Sequence, residues 1–113
     1  MSFKPYDVLV VPFPFTDSAA VKRRPALVIS AEQFHDRAGH LVLAMITSRE
    51  NRSWLLDVEL ADLKSAGLPH ASVVRMKLFT LDDRFVLSKA GRLARADRRA
   101  VQRNLRLLLP LDE

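Results

Sequence analysis

Short apolar runs divide this chain into segments. Residues 6–11, 25–29 and 40–47 are rich in Val, Leu and Ile, and residues 71–80 add Val, Phe and Thr. Such residues favour strands, and residues 54–60, which alternate towards their end, predict a further, exposed strand. The first three runs are apolar nearly throughout. Both of their faces should therefore be covered, as in a small closed barrel or a sheet capped by helices.

Helices are predicted between and after these runs. Ser30 is expected to cap a helical turn over residues 31–37 that ends at Gly39. Residues 62–66, followed by Gly67, predict a second short helix. The polar stretch over residues 16–24 has no periodicity and predicts a loop.

The C-terminal segment, residues 96–109, is the clearest predicted helix. Val101, Leu105 and Leu108 recur at the spacing of one helical face, and the opposite side carries Arg95, Arg99, Arg103 and Arg106. This helix either packs on the strands with a solvated cationic back, or its arginine stripe contacts nucleic acid or an acidic partner segment. The predicted organisation is one mainly β domain over residues 1–113.

Composition narrows the function classes. A length of 113 residues suits one domain, and the absence of cysteine excludes a disulfide framework, a thiolate nucleophile and a Cys-based zinc site. No apolar run reaches the roughly 20 residues that cross a bilayer. The N-terminus also has no apolar core of the signal-peptide kind, so we expect no membrane association and a cytoplasmic protein.

The charge is unevenly distributed. Eighteen basic and 13 acidic residues give a net charge of +5, and all of the excess lies in residues 84–113. Thirteen of the basic residues are arginine, whose planar fork of donors matches phosphate. This balance favours a polyanionic partner, RNA or DNA.

Common catalytic and metal-binding motifs are missing. The chain has no nucleophile elbow, P-loop or dinucleotide-binding glycine motif, and its three histidines share no metal-ligand spacing, so we expect no metal and no cofactor. Asp82 and Asp83 precede Arg84 and are interpreted as a turn with local charge pairing.

Two polar features stand at strand ends. Lys22, Arg23 and Arg24 come directly before the run at residues 25–29, and Thr47 closes the run at residues 40–47. A fixed guanidinium can hold negative charge that develops on a phosphate, and a hydroxyl can donate to the same oxygen. Alternatively, Arg24 forms a surface ion pair and Thr47 begins a turn.

Several segments, in this order, resemble the MazF/PemK-type toxins over nearly the whole chain. They are Asp7-Val8 with Pro12-Phe13-Pro14-Phe15-Thr16-Asp17, Lys22-Arg23-Arg24-Pro25-Ala26-Leu27-Val28-Ile29-Ser30, Ile46-Thr47-Ser48, Ala66-Gly67-Leu68, Ser72-Val73-Val74-Arg75, Lys77-Leu78-Phe79-Thr80-Leu81-Asp82 and Gly91-Arg92-Leu93. The resemblance implies a mainly β, small SH3-like, partly open β-barrel with short helices and a C-terminal amphipathic helix, usually a homodimer.

The resemblance also implies a function. It is that of a metal-independent endoribonuclease toxin of a type II toxin–antitoxin system, which cleaves single-stranded RNA at a short sequence. An antitoxin with a flexible, acidic segment neutralises such toxins by covering the RNA groove. The family's catalytic residues correspond to Arg24 and Thr47, which would assist attack of a ribose 2′-OH on the adjacent phosphate. The implied RNA-binding or supporting residues are Lys22, Arg23, Arg75 and Lys77.

The chain departs from the family at two informative positions. Some members have an acid two residues after the equivalent of Arg75, where this chain has Lys77, so no carboxylate base is carried over. The open candidates for the general base are Asp17, His35 and His70. Tyr6 replaces the glycine that usually precedes Asp7, a change expected to have no consequence.

Two other functions remain open. One is a topoisomerase poison like CcdB, which shares the fold but acts through its C-terminal residues. The other is a degenerate homologue that binds RNA or an antitoxin and cleaves nothing.

Overall fold

The computed structural model describes residues 2–13 and 22–112, which build one six-stranded antiparallel sheet. The strands are β1 (Asp7–Phe13), β2 (Lys22–Val28), β3 (His40–Ser48), β4 (Val58–Glu59), β5 (Ser72–Asp82) and β6 (Ser88–Arg92). Their order across the sheet is β4-β5-β3-β2-β1-β6. The sheet curls into a half-barrel, which confirms the predicted mainly β, partly open barrel.

Both faces of the central strands are covered by apolar side chains. One layer includes Val8, Ile46 and Val74 together with Val101 from the C-terminal helix α3 (Arg95–Leu108). The other face carries a second buried cluster, which includes Leu9, Ala26, Val28 and Leu43. This double burial explains why the strands are apolar almost throughout rather than alternating.

The two outer strands of the curled sheet are linked by α2 (Leu63–Ala66), which follows β4 and packs against β6. A Cβ atom on Gly67 would overlap the carbonyl group of Ala90, and one on Gly91 would lie 2.7 Å from the carbonyl oxygen of Ala66. The close approach of α2 to β6 therefore depends on both glycines.

Helix α3 confirms the predicted amphipathic segment, except that Leu108, predicted on the apolar face, is exposed. Val101 is fully buried and Leu105 packs against the same cluster, whereas the four arginines of the predicted cationic side are exposed: Arg95, Arg99, Arg103 and Arg106. Among the described residues, no helix is both long and apolar enough to cross a membrane.

The short helix α1 (Glu32–Ala38) forms where it was predicted, but Ser30 does not cap it. Ala31 occupies the N-cap position and makes no side-chain cap. The Ser30 hydroxyl instead lies 2.6 Å from His35 Nε2 and accepts the Val42 N–H at 2.9 Å. The hydroxyl thus joins α1 to β3.

Three strand predictions need correction. The segment Lys22–Arg24 was predicted as part of a loop, but it begins β2 because it pairs with the end of β1. The rest of that predicted loop, residues 16–21, lies outside the described residues. Of residues 54–60 only Val58–Glu59 are in a strand, since the Trp54 N–H donates to Asp57 in a turn. Strand β6 was not predicted at all.

Two local predictions have clear outcomes. Arg84 pairs with Asp82 at 2.8 Å, which confirms the predicted charge pairing, and its side-chain hydrogen bonds lower the pKa of Asp82 to about 2. The expectation for Tyr6 is wrong for the backbone: its φ is 72°, a left-handed conformation that costs a residue with a Cβ about 1 kcal/mol.

Candidate active site

Arg24 and Thr47 line the same open cleft, which has a volume of about 550 Å³. Strands β2 and β3 are antiparallel with Ala26 opposite Met45. Arg24 and Thr47 each lie two residues beyond this paired segment, on the same side of it along β2 and β3. The two strands thus bring residues that are distant in sequence to one cleft.

The Thr47 hydroxyl is held by a neighbour. Thr47 is 5% exposed, and Asn51 Nδ2 donates to Thr47 Oγ1 at 2.6 Å. A hydroxyl has one hydrogen to donate and two lone pairs. Because Asn51 engages a lone pair, the hydroxyl hydrogen is left to donate elsewhere, including to a group bound in the cleft.

Arg24 is partly exposed and has no ion-pair partner within 4 Å in the part of the chain that the structure describes. The alternative of a surface ion pair is therefore not observed among those residues. Lys22 and Arg23 precede Arg24 on β2 and are exposed.

The mouth of the cleft is formed where β3 ends and β5 begins. The Arg49 N–H donates to the Ala71 carbonyl at 3.0 Å, which holds the two segments together. Glu50 and His70 line the cleft from these segments. The cleft therefore contains both a carboxylate and an imidazole beside Arg24 and Thr47.

The other two candidates for the general base have different outcomes. His35 is buried outside the cleft, and its Nδ1 lies 2.9 Å from the Phe3 carbonyl oxygen. Because a carbonyl only accepts, Nδ1 carries the hydrogen, and Nε2 accepts from the Ser30 hydroxyl. Both ring nitrogens are thus occupied. Asp17 lies outside the described residues.

Arg75 is buried, with an exposed fraction of 7%. Its Nε and Nη2 donate to the Asp57 carboxylate at 3.2 and 3.0 Å, and Nη2 also donates to the Arg52 carbonyl. Burial by itself raises the pKa of Asp57, but the hydrogen bonds from Arg75 and from the Trp54 N–H, with the Arg75 charge, outweigh it and leave that pKa below its usual value. Arg75 therefore holds the loop of residues 52–57.

An aromatic ring accompanies these cations. Arg75 Cζ lies 5.3 Å and Lys77 Nζ 5.8 Å from the centroid of the Trp54 ring, within the range of cation–π attraction. The Trp54 side chain nevertheless stays about half exposed, at 49%. Lys77 is exposed beside it, so the flat face of an aromatic ring and an exposed positive charge lie together.

Two residues of this site were missed by sequence reasoning. Asn51 contacts Thr47, and Glu50 lines the cleft. Both lie in a polar segment after β3 whose sequence indicates only a turn. Among the described residues, no group of three or more His, Asp or Glu side chains is arranged to hold a metal ion.

Known structures share this fold. MazF from Deinococcus radiodurans is 21% identical, with a TM-score of 0.76 over 97% of this chain and 98% of that chain. An endoribonuclease from a Mycobacterial species, in complex with its cognate antitoxin, is 15% identical, with a TM-score of 0.75 over 96% and 94%. The Mycobacterium tuberculosis toxin MazF-mt6 is 19% identical, with a TM-score of 0.72 over 89% and 93%.

At the level of sequence, no curated protein matches the chain significantly. The family model for the PemK-like, MazF-like toxins of type II toxin–antitoxin systems matches residues 4–109. Since that match spans nearly the whole chain, it confirms the resemblance read from the motifs. The chain belongs to the PemK/MazF-like toxin family.

Proposed function

We propose that this protein is the endoribonuclease toxin of a type II toxin–antitoxin system, and that it cleaves single-stranded mRNA at a short sequence without a metal ion. The family supports an RNA-cleaving toxin. The observation that carries the proposal is the shared cleft. Its lining includes Arg24, which has no ion-pair partner among the described residues, and the Thr47 hydroxyl, which Asn51 orients. A cytoplasmic location follows from the proposed substrate.

The proposed reaction needs no external nucleophile. The ribose 2′-oxygen attacks the adjacent phosphorus, the bond from phosphorus to the 5′-oxygen breaks, and the products are a 2′,3′-cyclic phosphate and a free 5′-OH. Arg24 stabilises the charge that develops on the non-bridging oxygens. Thr47 donates its hydroxyl hydrogen to the same phosphate, since Asn51 already engages one of its lone pairs.

One proton must leave the 2′-OH and one must reach the departing 5′-oxygen. Of the three groups considered from the sequence, His70 is the one that lines the cleft within the described residues. An imidazole can accept or donate a proton near neutral pH. We assign removal of the 2′-OH proton to His70, whose imidazolium then returns that proton to the departing 5′-oxygen, with Glu50 as the carboxylate alternative in the same cleft.

The RNA path extends beyond the scissile phosphate. Lys22 and Arg23, exposed at the start of β2, contact backbone phosphates. Trp54, half exposed, offers one side of its ring to an unstacked base, and Lys77 contacts the phosphate next to that base. Arg75 supports this surface through Asp57 and does not contact RNA itself.

The proposed partners are those of a toxin. An antitoxin with an acidic segment is the partner that a cationic RNA groove would accept. The structure of a Mycobacterial endoribonuclease with its cognate antitoxin supports this assignment. A homodimer is the proposed assembly.

The proposal is tested by incubating the purified protein with a long transcript in the presence of EDTA. We expect cleavage at a short recurring sequence, with 2′,3′-cyclic phosphate and 5′-OH ends. The Arg24→Ala and Thr47→Ala variants should lose this cleavage. The control variant Arg37→Ala, which changes an exposed arginine on α1, should keep it. A topoisomerase poison would leave the RNA intact and inhibit supercoiling. A degenerate homologue would bind RNA and cleave nothing.

A further inference from the structure

A second cleft lies beside the N-terminal half of α3. Its volume is about 440 Å³, and it shares no lining residue with the cleft of Arg24 and Thr47. We call it the α3 cleft and define it by its cationic lining, Lys4, Arg92, Arg95, Arg98 and Arg99. The proposed reaction uses none of these residues.

The positive charge of the α3 cleft is largely uncompensated. Arg92 lies 3.4 Å from the Asp7 carboxylate, but Arg95, Arg98 and Arg99 have no ion-pair partner within 4 Å among residues 2–13 and 22–112. Within the described part of the chain, Glu32 is the one acidic residue of the lining. Several guanidinium groups thus face one concavity and repel one another unless an anion binds.

The nearest acid on α3 is already engaged. Asp97 is 3% exposed, and its two carboxylate oxygens accept the N–H groups of Ala61 and Asp62, each at 2.9 Å. It serves to hold α3 to the segment after β4. Among the described residues, it forms no ion pair within 4 Å with the arginines of the α3 cleft.

The spacing of the cations suits an extended polyanion. Positions 95, 98, 99 and 102 fall on one face of a helix, so Arg95, Arg98 and Arg99 project together, with the Gln102 amide continuing the row. Guanidinium forks match phosphate oxygens. Pro5 and Tyr6 are the uncharged ring-bearing residues of the described lining, whereas the anchors of a peptide interface are typically several aromatic and arginine side chains seated in pockets.

We propose that the α3 cleft is a second phosphate-binding site that holds the RNA chain away from the cleavage cleft, so that long RNA binds more tightly than short RNA. This inference rests on the proposed function, since RNA is taken as the substrate. A phosphodiester chain, rather than an acidic peptide, is the ligand that this lining favours.

The test compares two charge-matched variants. One carries Arg95→Gln, Arg98→Gln and Arg99→Gln; the control carries Arg37→Gln, Arg103→Gln and Arg106→Gln, which are exposed arginines outside the α3 cleft. Binding of fluorescein-labelled 2′-O-methyl RNAs of 40 and 8 nucleotides, which lack the nucleophile, is measured by anisotropy over a range of KCl concentrations.

We expect the α3-cleft variant to lose about tenfold or more in affinity for the 40-mer. Its salt slope should fall by about 2, as expected when three phosphate contacts to a single strand are lost. The 8-mer should bind equally to all three proteins, and the control should keep the wild-type slope. Equal losses in both variants would overturn the proposal, as would an α3-cleft variant that binds the 40-mer as tightly as wild type. If that variant also fails to bind labelled polyglutamate, used as a model acidic peptide, the ligand of the α3 cleft is a peptide and not RNA.

Two further measurements keep the result interpretable. Thermal unfolding compares the folding of the two variants, and single substitutions, each expected to lower the slope by about 0.7, replace the triple variant if it unfolds. Cleavage of an ordinary RNA by the unmodified protein is recorded separately. Absence of cleavage would refute the proposed enzyme, whereas the binding comparison decides on the α3 cleft alone.

Discussion

Asn51 determines how Thr47 presents its hydroxyl, because it donates to Thr47 Oγ1 at 2.6 Å. We predict that Asn51→Ala lowers kcat about tenfold, the value of one net hydrogen bond of roughly 1.4 kcal/mol, with little change in KM. Asn51→Asp should lower kcat further, since a carboxylate accepts and would draw the Thr47 hydrogen away from the substrate. Steady-state kinetics on a short RNA check this.

The contrast between the two Asn51 variants separates positioning from folding. A merely structural Asn51 would change the midpoint of thermal unfolding and affect kcat equally in Asn51→Ala and Asn51→Asp. An unchanged kcat in both variants would show that Asn51 does not position the Thr47 hydroxyl for the reaction.

The Asp57–Arg75 pair supports the loop that carries Trp54. Removing one partner of a buried pair leaves the other charge uncompensated and costs on the order of 3 kcal/mol. We predict that Asp57→Asn loses about this much free energy of unfolding at pH 7, measured in urea. Asp36→Asn, an exposed change on α1, is the matched control and should lose almost nothing.

The same pair predicts a pH dependence. The pKa of Asp57 is lower in the folded chain than its usual value, so the pair stabilises the protein above about pH 4, the ordinary aspartate pKa. That contribution is lost as the pH falls through the lowered pKa. The difference in unfolding free energy between wild type and Asp57→Asn should therefore shrink below pH 4, and a constant difference down to pH 2 would contradict this explanation.

Single residues differed in how far the sequence predicts them. Polar groups at the ends of apolar strands made Arg24 and Thr47 candidates, and the resemblance to the MazF/PemK-type toxins assigned them the catalytic roles. The contact from Asn51 and the positive φ of Tyr6 could not, since both depend on backbone geometry that neighbours in space impose. The burial of Arg75 could not be predicted either, because it depends on a pairing with Asp57, which lies 18 residues away in sequence.

At the scale of elements, the contact between α2 and β6 connects the two outer strands of the half-barrel, because α2 follows β4 along the chain. We predict that Gly91→Ala destabilises the protein by about 2 kcal/mol or more, because the added Cβ would overlap the backbone of Ser65 and Ala66. Gly39→Ala is the control: it also adds a Cβ, but at a positive φ with open space around it, so it should cost only about 1 kcal/mol. Chemical denaturation measures both, and equal effects would argue against tight packing of α2 on β6.

The long strands and all three helices were predictable, whereas the short strand β4 was predicted too long and the short strand β6 was missed. The runs that became β1, β2, β3 and β5 are apolar because both faces are buried, and the period of α3 follows from its single buried face. Strand β6, with the sequence SKAGR, has no strand propensity of its own. It forms because β1 offers it a partner, and such a tertiary effect leaves no local pattern.

At the scale of the whole molecule, the described residues form a cationic cleft along α3 that is separate from the cleft of Arg24 and Thr47. The sequence revealed that the excess charge lies in residues 84–113, which predicted a polyanionic partner. It could not reveal that Lys4, from the other end of the chain, joins the arginines of α3. Folding thus brings Lys4 and the C-terminal arginines together in one cleft. The salt dependence of binding to long RNA tests whether this cleft binds phosphates.

The central claim is that Arg24 and Thr47 act on one phosphate, and a double-mutant cycle of single-turnover cleavage rates tests it most directly. Arg24→Ala should slow cleavage by on the order of 10²–10³, with Arg37→Ala as the unaffected control. Because the two groups serve one transition state, adding Thr47→Ala should slow the reaction little further. A double variant whose loss equals the product of the two single losses, or a single variant that cleaves at the wild-type rate, would contradict the account.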